Sequence, residues 1–213
     1  KSAICAARDK ILHGDRDHMT KRHFITVFAG SADHLAPVYL EAAYRLGQLL
    51  AEQGRVLVYG AGKTGLMGAV ADGALEHGGE VIGVINDDLN KPNLAHSGLT
   101  ELETFRDIQS RQKRMLELGQ AYIALPGGFG TFYEVCEALT WAQLRMHHNG
   151  VGFLNTNGYY DPMLTMLDRA IADHFIYASH RALYMASSDP AELLAKLDDY
   201  HAPADLSHWV ERK

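Results

Sequence analysis

Two glycine-bearing segments contain the residue types that could do chemistry. The first runs from Pro126 to Glu134 and reads PGGFGTFYE, directly after the apolar run YIAL. Its three glycines, Gly127, Gly128 and Gly130, let the backbone bend until its N–H groups converge on a small anion, and a helix starting there adds its positive end. That arrangement suits one phosphate monoester. Thr131 and Glu134 close the segment with the spacing T-x-x-E, which has two readings. It is either a capping box, with Thr131 bonding forward and Glu134 back, or a carboxylate held beside a bound phosphate ester.

The second segment, GAGKTG from Gly60 to Gly65, follows the run VLVY and can be read three ways. A nucleotide-triphosphate loop needs a glycine five residues before Gly62, and that position is Leu57. A dinucleotide fingerprint fits better, because Gly60, Gly62 and Gly65 give G-x-G-x-x-G and Asp87 lies near the end of the next apolar run. The fingerprint usually follows the first strand of its fold, however, and no hydride-transfer group accompanies it. In the third reading the glycines allow a tight turn and close packing of a helix on the sheet, with Lys63 a solvated loop lysine or an extra substrate contact. Ser31, in AGSAD after the first apolar run, is a further candidate contact.

The elements that must position these residues alternate along the chain. Short β-branched runs read as strands at 24–30, 56–60, 80–86, 121–128 and 151–155. Between and after them, helical periodicity stopped by glycine predicts helices at 37–53, 66–79, 107–119 and 131–144, with closing helices at 161–174 and 190–199. Residues 86–99 read as loop. Strand–helix alternation of this kind implies an α/β fold, a Rossmann-like doubly wound parallel sheet with helices on both faces. Ligands of such sheets sit outside the carboxyl ends of the strands. The loops AGSAD, YGAGKTG and LPGGFGT all leave those ends.

The 213 residues fit one domain. Residues 1–22 read as an N-terminal arm, either vector-derived with Met19 as the native start or a short native helix. Residues 23–213 read as a single nucleotide-binding catalytic domain. A net charge of −6 argues against nucleic acid or an anionic membrane as partner, and no apolar run is long enough to span a bilayer. Cys5 and Cys136 make no disulfide framework, which points to a reducing, cytoplasmic setting. Among 12 histidines, the pair His147 and His148 reads as a solvated helix end favoured by the helix dipole rather than as a metal site. Tyr133 and Trp141 read as buried packing by default.

PGGFGTFYE, together with GAGKTGLMGAVADGAL, RDIQSRQKRM and ALTWAQL, resembles the Lonely Guy family of cytokinin-activating phosphoribohydrolases, members of which have been labelled lysine decarboxylases by mistake. The resemblance covers about residues 24–199. It implies hydrolysis of the N-glycosidic bond of an N6-modified adenosine 5'-monophosphate to free base and ribose 5-phosphate, with no metal and no cofactor. It also implies a homodimer or larger homo-oligomer with sites near the subunit interface. The phosphate would be held by Gly127, Gly128, Gly130 and Thr131, and Gly62, Lys63 and Ser31 would be further contacts. Glu134 and Arg111 would be catalytic, Arg111 either stabilising the departing base or clamping the phosphate.

The chain departs from the family pattern near this site. Gln112 stands where a lysine is usual, Gln109 where histidine is common, Ile108 where methionine is common, and GAGKTG where GGGS-type turns occur. These departures bear on substrate choice, and unmodified AMP is the alternative substrate. A carrier of molybdenum cofactor that does not hydrolyse it is the alternative from another class. From composition alone, Arg111 among Arg106, Lys113 and Arg114 reads as part of a basic helix face. No lysine stands in the context that a decarboxylase needs.

Overall fold

The structure, a computed structural model, describes residues 23–204 and 206. The expected arm at 1–22 lies outside the described residues. Seven strands form one parallel sheet: β1 (His23–Phe28), β2 (Arg55–Tyr59), β3 (Glu80–Asn86), β4 (Glu101–Phe105), β5 (Ala121–Ala124), β6 (Val151–Leu154) and β7 (Tyr184–Ser187). Six helices accompany them: α1 (Pro37–Glu52), α2 (Gly65–Leu75), α3 (Ile108–Leu118), α4 (Phe129–Gln143), α5 (Asp161–Ala172) and α6 (Pro190–Asp198).

Each strand sends alternate side chains to opposite faces, and both faces are covered. In β2, Leu57 and Tyr59 join the core under α1, α2 and α6, where they meet Leu46, Val70 and Leu193. Val56 and Val58 join the core under α3 and α4, where they meet Met115 and Val135. Burying one such side chain contributes about 1.5–3 kcal/mol. On the first face α1 and α2 touch backbone to backbone. A Cβ built on Gly47 would lie 2.0 Å from the Val70 carbonyl oxygen, and one on Gly73 would lie 2.1 Å from that of Tyr44. This contact is what the small residues of GLMGAVADGAL provide.

The strand order β4-β3-β2-β1-β5-β6-β7 winds outward from β1 in both directions. The carboxyl ends of β1 and β5 are therefore where the connections diverge, which is the crevice used for ligands in sheets of this type. The doubly wound expectation holds in full.

The two outermost strands are absent from the sequence reading. β4 is an edge strand of sequence ELETF in which Glu101 and Leu102 are exposed, so its composition does not look like a buried run. β7 has only four residues. The last helix of the PGGFGT segment starts earlier than expected, at Phe129 with Gly128 as N-cap. Thr131 is therefore inside the first turn and is not the cap, so the capping-box reading of Thr131 and Glu134 is wrong.

Candidate active site

A cavity of about 1020 Å³ opens at the carboxyl ends of β1, β2, β3 and β5. Gly127, Gly128, Gly130, Thr131, Glu134, Arg111, Ser31 and Gly62 all line it, so one cleft collects eight of the nine site residues expected from sequence. Lys63 is elsewhere. It borders a neighbouring shallow depression, and its ammonium donates to the Pro92 carbonyl at 2.7 Å.

The floor of the cavity is the segment between β5 and α4. Gly30 N–H donates to the Pro126 carbonyl at 3.1 Å, and the Gly128 carbonyl accepts from Phe132 N–H at 3.0 Å to begin the helix. Among the described residues, no acceptor is recorded for the backbone N–H groups of Gly127, Gly128, Phe129, Gly130 and Thr131. Five consecutive donors at the start of a 15-residue helix make a strong anion cradle.

Glu134 stands on the same helix, three residues past Thr131 and so about 4.5 Å further along the axis. It is 5% exposed and faces Arg111, which is 6% exposed. Arg111 Nη1 donates to Glu134 Oε1 at 2.9 Å, and Arg111 Nε donates to the Val84 carbonyl at 2.9 Å. The second nitrogen of the fork reaches Gly60, where an added Cβ would lie 2.4 Å from Nη2. The glycine that opens GAGKTG therefore makes room for the guanidinium. Burial pushes the Glu134 carboxyl above its ordinary value, while the charge and hydrogen bond of Arg111 pull it back. The result is a carboxylate that is poorly solvated yet held in one orientation, as a group that stabilises charge or moves a proton must be.

The remaining GAGKTG residues stitch the cavity's outer wall. Lys63 N–H donates to the Leu94 carbonyl at 3.0 Å, and His96 N–H donates to the Ala61 carbonyl at 2.9 Å. These bonds, with the Lys63 ammonium, hold residues 89–96 against the turn. That segment presents Leu89, Asn93 and Leu94 to the cavity, whose lining also includes Ile108 and Met67. Leu89, Leu94, Ile108 and Met67 make this part of the lining largely apolar.

Several further sequence expectations resolve here. Gln109 is exposed. Gln112 is fully buried, and its Nε2 lies 3.5 Å from the Glu134 carbonyl in the α3–α4 contact, so it does not line the cavity. Asp87 also lies outside the lining. Trp141 packs on the second core, but Tyr133 is 44% exposed, contrary to buried packing. His147 is not a solvated helix end. Its ring lies 4.7 Å from that of Tyr122, its Nε2 is 2.9 Å from the Ala138 carbonyl, and burial lowers its pKa, opposite to what a helix dipole would do.

Sequence reading missed Tyr39 and Tyr159 as cavity residues. A signal existed for Tyr159. NTNGYY leaves the carboxyl end of β6 just as the three recognised loops leave theirs, and Asn157 there has a left-handed φ of 52°.

Comparison with known proteins agrees with this geometry. Residues 67–197 match the family model described as "Possible lysine decarboxylase". The Arabidopsis thaliana cytokinin riboside 5'-monophosphate phosphoribohydrolase LOG7 is 40% identical over 189 residues, covering 87% of each chain. The probable cytokinin riboside 5'-monophosphate phosphoribohydrolase LOGL5 of Oryza sativa subsp. japonica is 40% identical over 179 residues, 84% of this chain and 73% of the relative. Among solved structures, the molybdenum cofactor binding protein of Rippkaea orientalis superposes with a TM-score of 0.65 at 22% identity, covering 85% of this chain and 98% of that one. The molybdenum cofactor carrier protein of Chlamydomonas reinhardtii gives 0.63 at 23% identity, over 84% and 98%. At such identities these two show a shared fold and nothing more. The matches at 40% identity, carried by a chain that keeps the PGGFGT cradle and the Arg–Glu pair, establish that it belongs to the Lonely Guy family of cytokinin riboside 5'-monophosphate phosphoribohydrolases.

Proposed function

We propose that this protein hydrolyses the N-glycosidic bond of an N6-modified adenosine 5'-monophosphate, giving free base and ribose 5-phosphate. The observation that carries this reading is the placement of five N–H donors without a partner among the described residues, and a buried Arg–Glu pair, in one cavity. The 5'-phosphate sits on Gly127, Gly128, Phe129, Gly130 and Thr131 N–H groups. Glu134, a turn deeper, lies toward C1'. As the C1'–N9 bond breaks, its electron pair leaves with the base and positive charge builds on the sugar, much as in glycoside hydrolysis. The Glu134 carboxylate stabilises that charge and takes a proton from the water whose oxygen bonds to C1'. The departing base takes one proton from solvent and Glu134 gives its own back to solvent, so the carboxylate is restored and one water is consumed overall.

Arg111 directs Nη1 to Glu134 and Nε to the Val84 carbonyl. These two bonds favour a role in holding Glu134 ionised and oriented, and leave Nη2 for the substrate. The apolar wall of Leu89, Leu94 and Ile108 suits an alkyl substituent on N6 and favours a modified base over plain AMP. The names of the relatives favour hydrolysis over cofactor carriage. Among the described residues no lysine lines the cavity, so an imine-forming decarboxylation has no amine to use.

The test is chromatography of products from AMP and isopentenyladenosine monophosphate incubated in parallel. Equimolar base and ribose 5-phosphate, formed faster from the prenylated nucleotide, are expected. No base from either would end the reading.

The working unit in this reading is a homodimer or larger homo-oligomer. Phe129, 92% exposed, Tyr133 and Leu144 are exposed apolar side chains on or just past α4, and they would pack against a second copy. A cytoplasmic setting fits the sparing use of cysteine. No helix among the described residues is long and apolar enough to cross a membrane.

A further inference from the structure

We propose that Tyr159 is a positioning residue for phosphate recognition, acting by locking the Gly127–Gly128 peptide in its anion-binding orientation. The assignment rests on the nucleotide reading of the cavity. The Tyr159 hydroxyl donates to the Gly127 carbonyl, linking the β6–α5 connection to the cradle. One peptide earlier, Gly30 N–H takes the Pro126 carbonyl. Two successive carbonyls are thus held by donors from outside the segment. In a planar trans peptide the N–H points opposite to the C=O. The Gly127 and Gly128 N–H groups are therefore turned away from those donors, which is the arrangement that leaves them free for an anion.

Nothing in the local backbone would enforce this. Glycine populates both signs of φ with little penalty, and a Cβ built on Gly128 meets nothing within 4 Å. A peptide between two glycines can rotate, and rotation would put a carbonyl oxygen, with its partial negative charge, where a phosphate oxygen must bind. The phenol prevents that rotation. Its own ring is fixed, edge-on to Tyr39 with centroids 6.2 Å apart and edge-on to Tyr160 at 5.1 Å. The Asn155 side chain braces the same turn, accepting from Tyr160 N–H at 2.7 Å and donating to Asp161 at 2.7 Å. A phenol has one proton to donate, and here it goes to the carbonyl. Tyr159 therefore acts on the phosphate through the peptide and not as a direct donor.

The experiment compares wild type with Tyr159→Phe, measuring KM and kcat on isopentenyladenosine monophosphate, the inhibition constant of ribose 5-phosphate, and the rate on the matching unphosphorylated nucleoside. Loss of one such hydrogen bond predicts a rise of about fivefold or more in KM and in the inhibition constant, with kcat and the nucleoside rate little changed. Replacing Tyr159 by p-aminophenylalanine, which keeps a para donor, should restore both constants, and this holds the test open if the Phe variant folds poorly. Tyr160→Phe is the control. It deletes a phenol–carbonyl bond to Leu125 of 2.6 Å one residue away, outside the cavity lining, and should leave both constants alone.

An unchanged inhibition constant, a nucleoside rate that falls in parallel, or no rescue by the amine overturns the proposal. If wild type releases no base, the nucleotide reading fails, and calorimetric binding of ribose 5-phosphate then decides on Tyr159 alone. Weaker binding in Tyr159→Phe supports the lock, and equal binding or none in wild type overturns it.

Discussion

Removing Glu134 and Arg111 singly and together separates what the pair does for the fold from what it does for the reaction. Glu134→Leu leaves a guanidinium at a 6% exposed site, still bound to the Val84 carbonyl through Nε but without its carboxylate acceptor. Breaking a buried pair this way costs about 3–5 kcal/mol. At about 2–4 °C per kcal/mol for a domain of this size, the thermal midpoint should fall by about 6–20 °C. Arg111→Met leaves the carboxyl alone, but that group can escape by taking a proton, since burial already holds its pKa above the ordinary value. The Arg111→Met loss should therefore be smaller at pH 6 than at pH 8. In Arg111→Met/Glu134→Leu both charges are gone, and most of the midpoint should return.

Base release behaves differently. Each single variant should lose about 10²–10⁴-fold, and the double should be no slower than the worse single, because the two residues act as a unit. Calorimetry and chromatography on the same three preparations give both readouts. Single variants that unfold within about 1 kcal/mol of wild type would refute the claim of a dry pair. A double variant whose midpoint loss is the sum of the two would refute the claim of mutual compensation.

Gly60→Ala puts a Cβ 2.4 Å from Arg111 Nη2; a displacement of about 1 Å in that fork should cost about 10²-fold in kcat/KM, and wild-type rates would show that the turn does not seat the arginine. The unphosphorylated nucleoside should be a poor substrate, because it forgoes the cradle of Gly127–Thr131 N–H groups, and equal rates with and without phosphate would remove that segment from the mechanism. The acid limb of kcat/KM should reflect Glu134 and lie above pH 4.5, its ordinary value; a limb at or below that value contradicts a buried catalytic carboxylate. For stability, His147 has a folded pKa below its ordinary 6.5 because it is buried. The unfolded chain therefore binds the proton more readily, and the fold should lose stability as pH drops below about 6.5. Protonation would also cost the bond that Nδ1 accepts from Asn149 N–H. Urea midpoints at pH 7.5 and 5.5 should differ less in His147→Gln than in wild type.

How much of this was legible in the sequence follows from how local each signal is. The buried strands β1, β2, β3, β5 and β6 declare themselves as short apolar runs, because a parallel strand covered on both faces needs nothing else. The edge strands β4 and β7 do not, since edge position, not composition, makes them strands. PGGFGT is legible as a candidate anion cradle because glycine content and position before a helix are local properties. That Thr131 lies within the first turn and Glu134 faces inward is not local; it depends on where β5 ends relative to β1, through the Gly30–Pro126 bond.

Arg111 and Arg114 make the division plainest. They are three residues apart on one helix, have the same side chain, and read together as a basic face. Arg114 reaches outward to Glu103 on β4 with two bonds of 2.7 and 2.8 Å. Arg111 goes inward to Glu134 over a glycine of β2's turn. Sequence by itself determined the fold class and the family, and pointed to the PGGFGT glycines. Only the tertiary structure decided which arginine is buried, that Lys63 fastens the outer wall, and that Tyr159 reaches the cradle. Each of these depends on contacts between segments 23 or more residues apart, which no local pattern of residue types encodes.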